Sequence, residues 1–223
     1  MRRIVAVLLC LSVLCLPVKA QQEGKYVALT FDDGPSGRFT RELWKGLQKR
    51  NVKATFLLCG YRVEQYPELT ARIAREGHEI GCHGYSHKDM RAMSRRDIAD
   101  EIVRMERLLP EGVALAFLRP PGGGVSDGVR QVAKARNLAI LNWSVDPRDW
   151  ATRDAAAIEH AVVDHVRSGD VILLHDMSES SVAAALSIID RLKGQGFTFV
   201  TASQLAKITG TRLIPGQVYC RFE

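Results

Sequence analysis

The sequence predicts an α/β fold: one domain on a mostly parallel sheet of about seven strands, either closed as a barrel or left open. Three observations carry this. Short runs of β-forming residues alternate with amphipathic runs at helical spacing along the whole chain. No linker or low-complexity tract divides the chain. Several apolar runs also stop abruptly at charged or imidazole side chains, as strands do when their carboxyl ends carry chemistry.

The first 20 residues stand apart from that alternation. Arg2 and Arg3 precede an apolar run over residues 4–16, and Val18 and Ala20 fit a small-residue cleavage pattern. The run is shorter than the roughly 20 residues of a spanning helix, so residues 1–20 are expected to be a secretory signal peptide. The remaining domain, residues 21–223, would be exported to the periplasm, the cell wall or the medium, with no stable membrane span. Losing Arg2, Arg3 and Lys19 lowers the formal charge from +6 to +3. That excess is scattered and forms no dense basic run, which argues against nucleic acid as a partner. Cys59, Cys82 and Cys220 remain in the exported part. In an oxidising compartment Cys59 and Cys82 are the preferred pair, because both close neighbouring strands.

The first strand, residues 26–31, is the organising one. Its apolar run ends at Asp32 and Asp33, and Gly34-Pro35 then turns the chain. Neighbouring strand side chains point to opposite faces, so both acids can face one site only where the strand is breaking up. Two like charges that close need a cation or a fixed arginine to offset them. Alone, the segment reads as an ordinary turn.

A helix is expected over residues 38–50, with Leu43, Trp44 and Leu47 on one face, followed by a buried strand over 54–59. A second helix over 64–76 leads to a third strand over 78–82. Beyond it lie His83 and His87, whose spacing lets two imidazoles share a cation. With a carboxylate pair at another strand end, a metal site becomes the better reading of these histidines. One carboxylate and two imidazoles would leave positions open for water and substrate, a catalytic and not a structural arrangement.

Ser94 followed by Asp97 signals a helix start, continued by Ile98, Ile102, Met105 and Leu109. Strands over 116–118, 138–143, 171–174 and 197–200 alternate with helices over 125–135, 155–166 and 182–192. Three of these strands run into Arg119-Pro120-Pro121-Gly122, Asp146-Pro147-Arg148-Asp149-Trp150 and His175-Asp176. Singly, each reads as a stiff loop, a surface turn and a core histidine. His78, His160 and His165 have no assigned role, and residues 211–223 carry no readable signal.

In this order, Thr30 to Pro35, His83 to His87, Arg119-Pro120-Pro121, Asp146 to Trp150 and Leu173 to His175 resemble the five motifs of the polysaccharide deacetylases, carbohydrate esterase family 4. The likeness spans about residues 25–205. It implies a distorted (β/α) barrel holding one divalent metal ion, usually zinc, with cobalt or another divalent ion as alternatives. It also implies hydrolysis of N-acetyl groups on a glycan such as peptidoglycan, a chitin-like oligomer or an exopolysaccharide. A monomer is expected separately, since the sequence itself carries no signal of oligomeric state.

By that resemblance Asp33, His83 and His87 are the metal ligands and Asp32 the general base, paired with Arg119. His175 is the general acid, oriented by Asp149. Trp150 and Leu173 wall the slot for the acetyl methyl, and the Gly122 N–H faces the oxyanion. Three residues depart from the family pattern. Cys82 replaces a common asparagine. Gly84 replaces a serine or threonine whose hydroxyl braces the histidine loop, so metal affinity is expected to be weaker. Gly122 replaces a tyrosine, which opens the groove. Two other functions compete: an esterase removing O-acetyl groups from glycans such as xylan, and a catalytically silent glycan-binding module. The second is disfavoured because the acid and base positions are both filled.

Overall fold

In the computed structural model, residues 24–223 are described. The expected signal peptide lies outside them. The order is β1 (Lys25–Asp32), α1 (Arg38–Lys49), β2 (Thr55–Leu58), α2 (Gly60–Gln65), α3 (Pro67–Arg75), β3 (Glu79–Cys82), α4 (Arg95–Glu106), β4 (Phe117–Leu118), α5 (Asp127–Ala135), β5 (Ala139–Leu141), α6 (Ala155–Val163), β6 (Val171–His175), α7 (Glu179–Gly194), β7 (Phe197–Val200), α8 (Ala202–Ile208) and β8 (Val218–Tyr219). All seven expected strands form.

The strands pair in parallel in the order β6-β1-β2-β3-β4-β5-β8, and β7 lies along the first half of β1. The sheet curls far enough that Val145, beyond β5, bridges Ile172 of β6. Among the described residues no helix is long and apolar enough to cross a membrane.

Alternation along β1 divides the interior in two. Val27, Leu29 and Phe31 face outward into the main core, with Leu43 and Leu47 of α1 and Ile188 and Ile189 of α7. Ala28 faces inward, into a smaller cluster with Leu57, Phe117, Leu141, Leu205 and Phe222. That second cluster plugs the barrel from below. The Ala202 N–H of α8 donates to Thr55 Oγ1 at the start of β2, 2.9 Å away, and the Phe222 N–H donates to the Gly169 carbonyl at 2.8 Å. With the lower half filled, chemistry is left to the upper rim.

Several expectations are corrected. The helix expected over 64–76 is two helices, α2 and α3. Pro67 begins the second, and Tyr66 before it takes φ −131° and ψ 56°, outside the helical region, as the residue before a proline tends to do. The helix expected over 155–166 ends at Val163, which leaves His165 beyond it. Helix α8 and strand β8 add to the expected elements, and the unreadable tail proves to be part of the barrel floor.

Cys59 and Cys82 do not pair; both are free and buried. In the β2–β3 register Leu58 is the partner of Cys82. Cys59 is one residue further along an extended backbone and therefore faces the other way.

Candidate active site

Five segments bring polar side chains to the upper rim. Strand β1 ends at Asp32, and Asp33 takes φ 73°, in the left-handed region. That reversal turns the second carboxylate toward the side the first one faces, the strand break anticipated from two adjacent acids.

Asp33, His83 and His87 each offer one donor atom, and the three atoms lie within 4.8 Å of one another. His87 Nε2 is 3.0 Å and His83 Nε2 3.4 Å from Asp33 Oδ1. Asp33 Oδ1 is nevertheless buried with no properly directed hydrogen bond among the described residues. His83 Nδ1 lies 2.7 Å from the Arg119 carbonyl oxygen, which can only accept, so Nδ1 carries a proton and Nε2 is the nitrogen left facing Asp33. A buried carboxylate oxygen with no well-directed hydrogen bond, beside the Nε2 atoms of two imidazoles, is what a divalent cation would satisfy. The residues therefore fit the expected metal.

The local charges agree with that fit. Burial alone would raise the Asp33 carboxyl, but the His83 and His87 imidazoles close beside it outweigh that and hold the group well below the usual carboxylate range. The Asp33 carboxylate, 3.0 Å from Nε2, raises the pKa of His87.

Asp32 and Arg119 form the second part. Arg119 is completely buried, and every donor group of its fork has a partner. Nη1 donates to Asp32 Oδ1 at 2.6 Å and to Thr30 Oγ1 at 2.9 Å, Nε to the Leu141 carbonyl at 2.7 Å, and Nη2 to the Asn142 carbonyl at 2.9 Å. The other Asp32 oxygen, Oδ2, is 3.6 Å from His83 Nε2.

His175 and Asp149 form the third. In the β1–β6 register His175 stands beside Asp32. Both Asp149 oxygens hold it: Oδ1 is 2.7 Å from His175 Nδ1, and Oδ2 accepts from the His175 backbone N–H at 2.8 Å. Burial lowers the imidazole pKa, but the hydrogen bond and charge of Asp149, reinforced by Asp32 and Asp33, outweigh it and push the ring up to about 9. It is therefore protonated at neutral pH.

A cavity of about 800 Å³ opens beside this centre, lined by Asp33, Asp149, Trp150 and His175 among others. Trp150 is 64% exposed at its mouth. Leu173 lies buried on the same strand face as His175, two residues below it. Gly122 takes φ 66°, and a side chain there would meet nothing within 4 Å, so the rim is open at that point.

Two buried carboxylates beside the site escaped the sequence reading. Glu101 sits on the apolar face of α4 with Ile98, Ile102 and Met105, and an acid at those spacings was the available signal. Asp176 follows His175 directly, is fully buried, and takes a short hydrogen bond from Thr40 Oγ1. Burial pushes its pKa up to about 7. His78 is structural: it accepts from the Ala54 N–H at 3.2 Å, and burial lowers its pKa to about 4.

A family profile described as polysaccharide deacetylase matches residues 19–141. A peptidoglycan-N-acetylglucosamine deacetylase of Bacillus cereus is 37% identical over 82% of this chain and 89% of its own length. The corresponding Listeria monocytogenes enzyme is 34% identical over 91% of this chain, which spans only 42% of that longer relative. Among solved structures, a family 4 acetyl xylan esterase from Clostridium thermocellum, in complex with a cobalt ion, superposes with a TM-score of 0.82 at 33% identity, covering 88% of this chain and 98% of that one.

Proposed function

The chain belongs to the polysaccharide deacetylase family, and from that membership and the geometry of the rim we propose that it is a metal-dependent hydrolase removing N-acetyl groups from an extracellular glycan. The observation that carries this reading is the grouping of Asp33, His83 and His87, flanked by Asp32 on Arg119 and His175 on Asp149. A purely glycan-binding scaffold has no need of an acid and a base poised on either side of a metal-ligand set.

Asp33 Oδ1, His83 Nε2 and His87 Nε2 are the atoms that would hold the ion, zinc by preference. When bound there, a divalent cation supplies Lewis acidity toward a water and an acyl oxygen. Arg119 fixes one oxygen of Asp32, leaving the other to take the proton of the attacking water. Gly122 offers its backbone N–H to the developing oxyanion, a fixed dipole that needs no reorganisation. His175, held protonated by Asp149, gives its Nε2 proton to the departing amine. Trp150 and Leu173 form the apolar walls for the acetyl methyl. The expected export signal suits a substrate outside the membrane.

The peptidoglycan enzymes among the relatives favour an N-acetylated wall polymer. The likeness to an acetyl xylan esterase keeps ester hydrolysis as the second reading. Acetate release from N-acetylglucosamine oligomers, peptidoglycan and acetylated xylan, with and without chelator, tests both. Chelator-sensitive release from the amide substrates supports the proposal. Release from xylan alone replaces it with the esterase, and no release from any substrate leaves the silent module.

A further inference from the structure

The loop between the two histidine ligands is tied to the fold on both sides. On one side the first N–H groups of α2 donate to it: Gly60 N–H to the Gly84 carbonyl at 2.9 Å, and Tyr61 N–H to the Tyr85 carbonyl at 3.0 Å. On the other, Glu101 reaches in from α4. Its Oε2 accepts from the Tyr85 N–H and the Ser86 N–H, both at 2.7 Å, and its Oε1 accepts from Ser86 Oγ at 2.8 Å. The carboxylate is nearly sealed from water, 7% exposed, and makes no ion pair within 4.0 Å among the described residues. Three donors from one loop therefore satisfy a buried acid that would be costly to leave unpaired.

Gly84 makes room for this. Its φ of 80° favours glycine, and a Cβ there would lie 3.1 Å from Glu101 Oε2 and 3.1 Å from the Met90 methyl. The hydroxyl expected at this position is absent, but the loop is not left loose. We infer that Glu101 is the positioning residue for the metal centre: by clamping residues 85 and 86 it sets the separation and tilt of His83 and His87, whose rings stand 5.1 Å apart at 52°. Glu101 touches neither substrate nor ion and acts through the loop alone. The inference rests on reading Asp33, His83 and His87 as the metal ligands.

The test is a competition titration of metal-free protein with Co²⁺ against a chelating dye, read together with the visible spectrum of the bound cobalt. Wild type, Glu101→Ala, Glu101→Gln and Ser86→Ala are compared. Outer-shell partners of metal ligands typically set 10–100-fold in affinity. Glu101→Ala should lose about that much and shift the cobalt spectrum. Ser86→Ala, which removes one of the three bonds, should lose less. Glu101→Gln keeps an acceptor for the two N–H groups and should recover most of the affinity. If Glu101→Ala does not fold, the graded order of the other two against wild type decides. Wild-type affinity and spectrum in every folded variant would overturn the inference. Failure of wild type itself to bind Co²⁺ would instead overturn the metal-site reading beneath it.

Discussion

Arg119 Nη1 lies 2.6 Å from Asp32 Oδ1, with both side chains out of solvent, and the same arginine orients His83 through its backbone carbonyl. One residue at the end of β4 thus links a candidate base on β1 to a candidate ligand beyond β3. Replacing it should disturb stability and chemistry together. Arg119→Met leaves the Asp32 carboxylate buried without a counter-charge, and breaking such a pair costs about 3–5 kcal/mol. Denaturant unfolding of the metal-free protein should show that loss; an unchanged midpoint would mean that Asp32 finds another partner.

Removing the base separates turnover from metal binding. Asp32→Asn should keep the ion, since Asp33 and the two imidazoles remain, while acetate release falls by about 10²–10⁴-fold. Full activity in this variant would move the base elsewhere.

The acid should declare itself in the pH profile. His175 is raised to about 9, so its proton is present at neutral pH and is lost as pH climbs through that value. A bound cation would neutralise part of the Asp33 charge and bring the alkaline limb below 9. Asp149→Asn removes the carboxylate that outweighs burial, and the limb of kcat should move to lower pH by more than one unit. An unmoved limb would detach it from His175.

Asp176 has the opposite sign of effect on stability. Its folded pKa, about 7, is above the ordinary 3.8, so the stability of its protonated form is complete below about pH 4 and is lost as pH rises through 7. Asp176→Asn carries no such penalty. Between pH 5 and pH 9 the Tm difference should grow in favour of the variant, by roughly 2–4 °C for each kcal/mol. A pH-independent difference would show that Asp176 does not titrate in that range.

The alternation of strands and helices was readable because each strand is a short apolar run that stops at a polar rim. The break at Asp32-Asp33 was readable from the sterics of adjacent strand residues, and the structure resolves it through the left-handed Asp33. The start of α3 could have been read from Pro67, which cannot continue a helix begun before it. Glu101 was harder. Its spacing marks it as facing the core, but its partners lie 15 and 16 residues earlier in a loop, and only the packing of α4 shows that they meet. The cysteine pairing failed on facing direction, since adjacent strands do not suffice when the two residues are one step out of register. Likewise, nothing in the local pattern of residues 211–223 shows that Tyr219 and Phe222 fill the barrel floor.

The central claim is that Asp33, His83 and His87 hold one ion on which acetyl hydrolysis depends. Its most direct test is acetate release from N-acetylglucosamine oligomers by chelator-stripped protein, titrated with Zn²⁺ beside His83→Ala. Wild-type activity should start near zero and saturate at one equivalent, while the variant stays inactive at that loading. Undiminished activity in the stripped protein, or equal recovery in His83→Ala, would contradict the account.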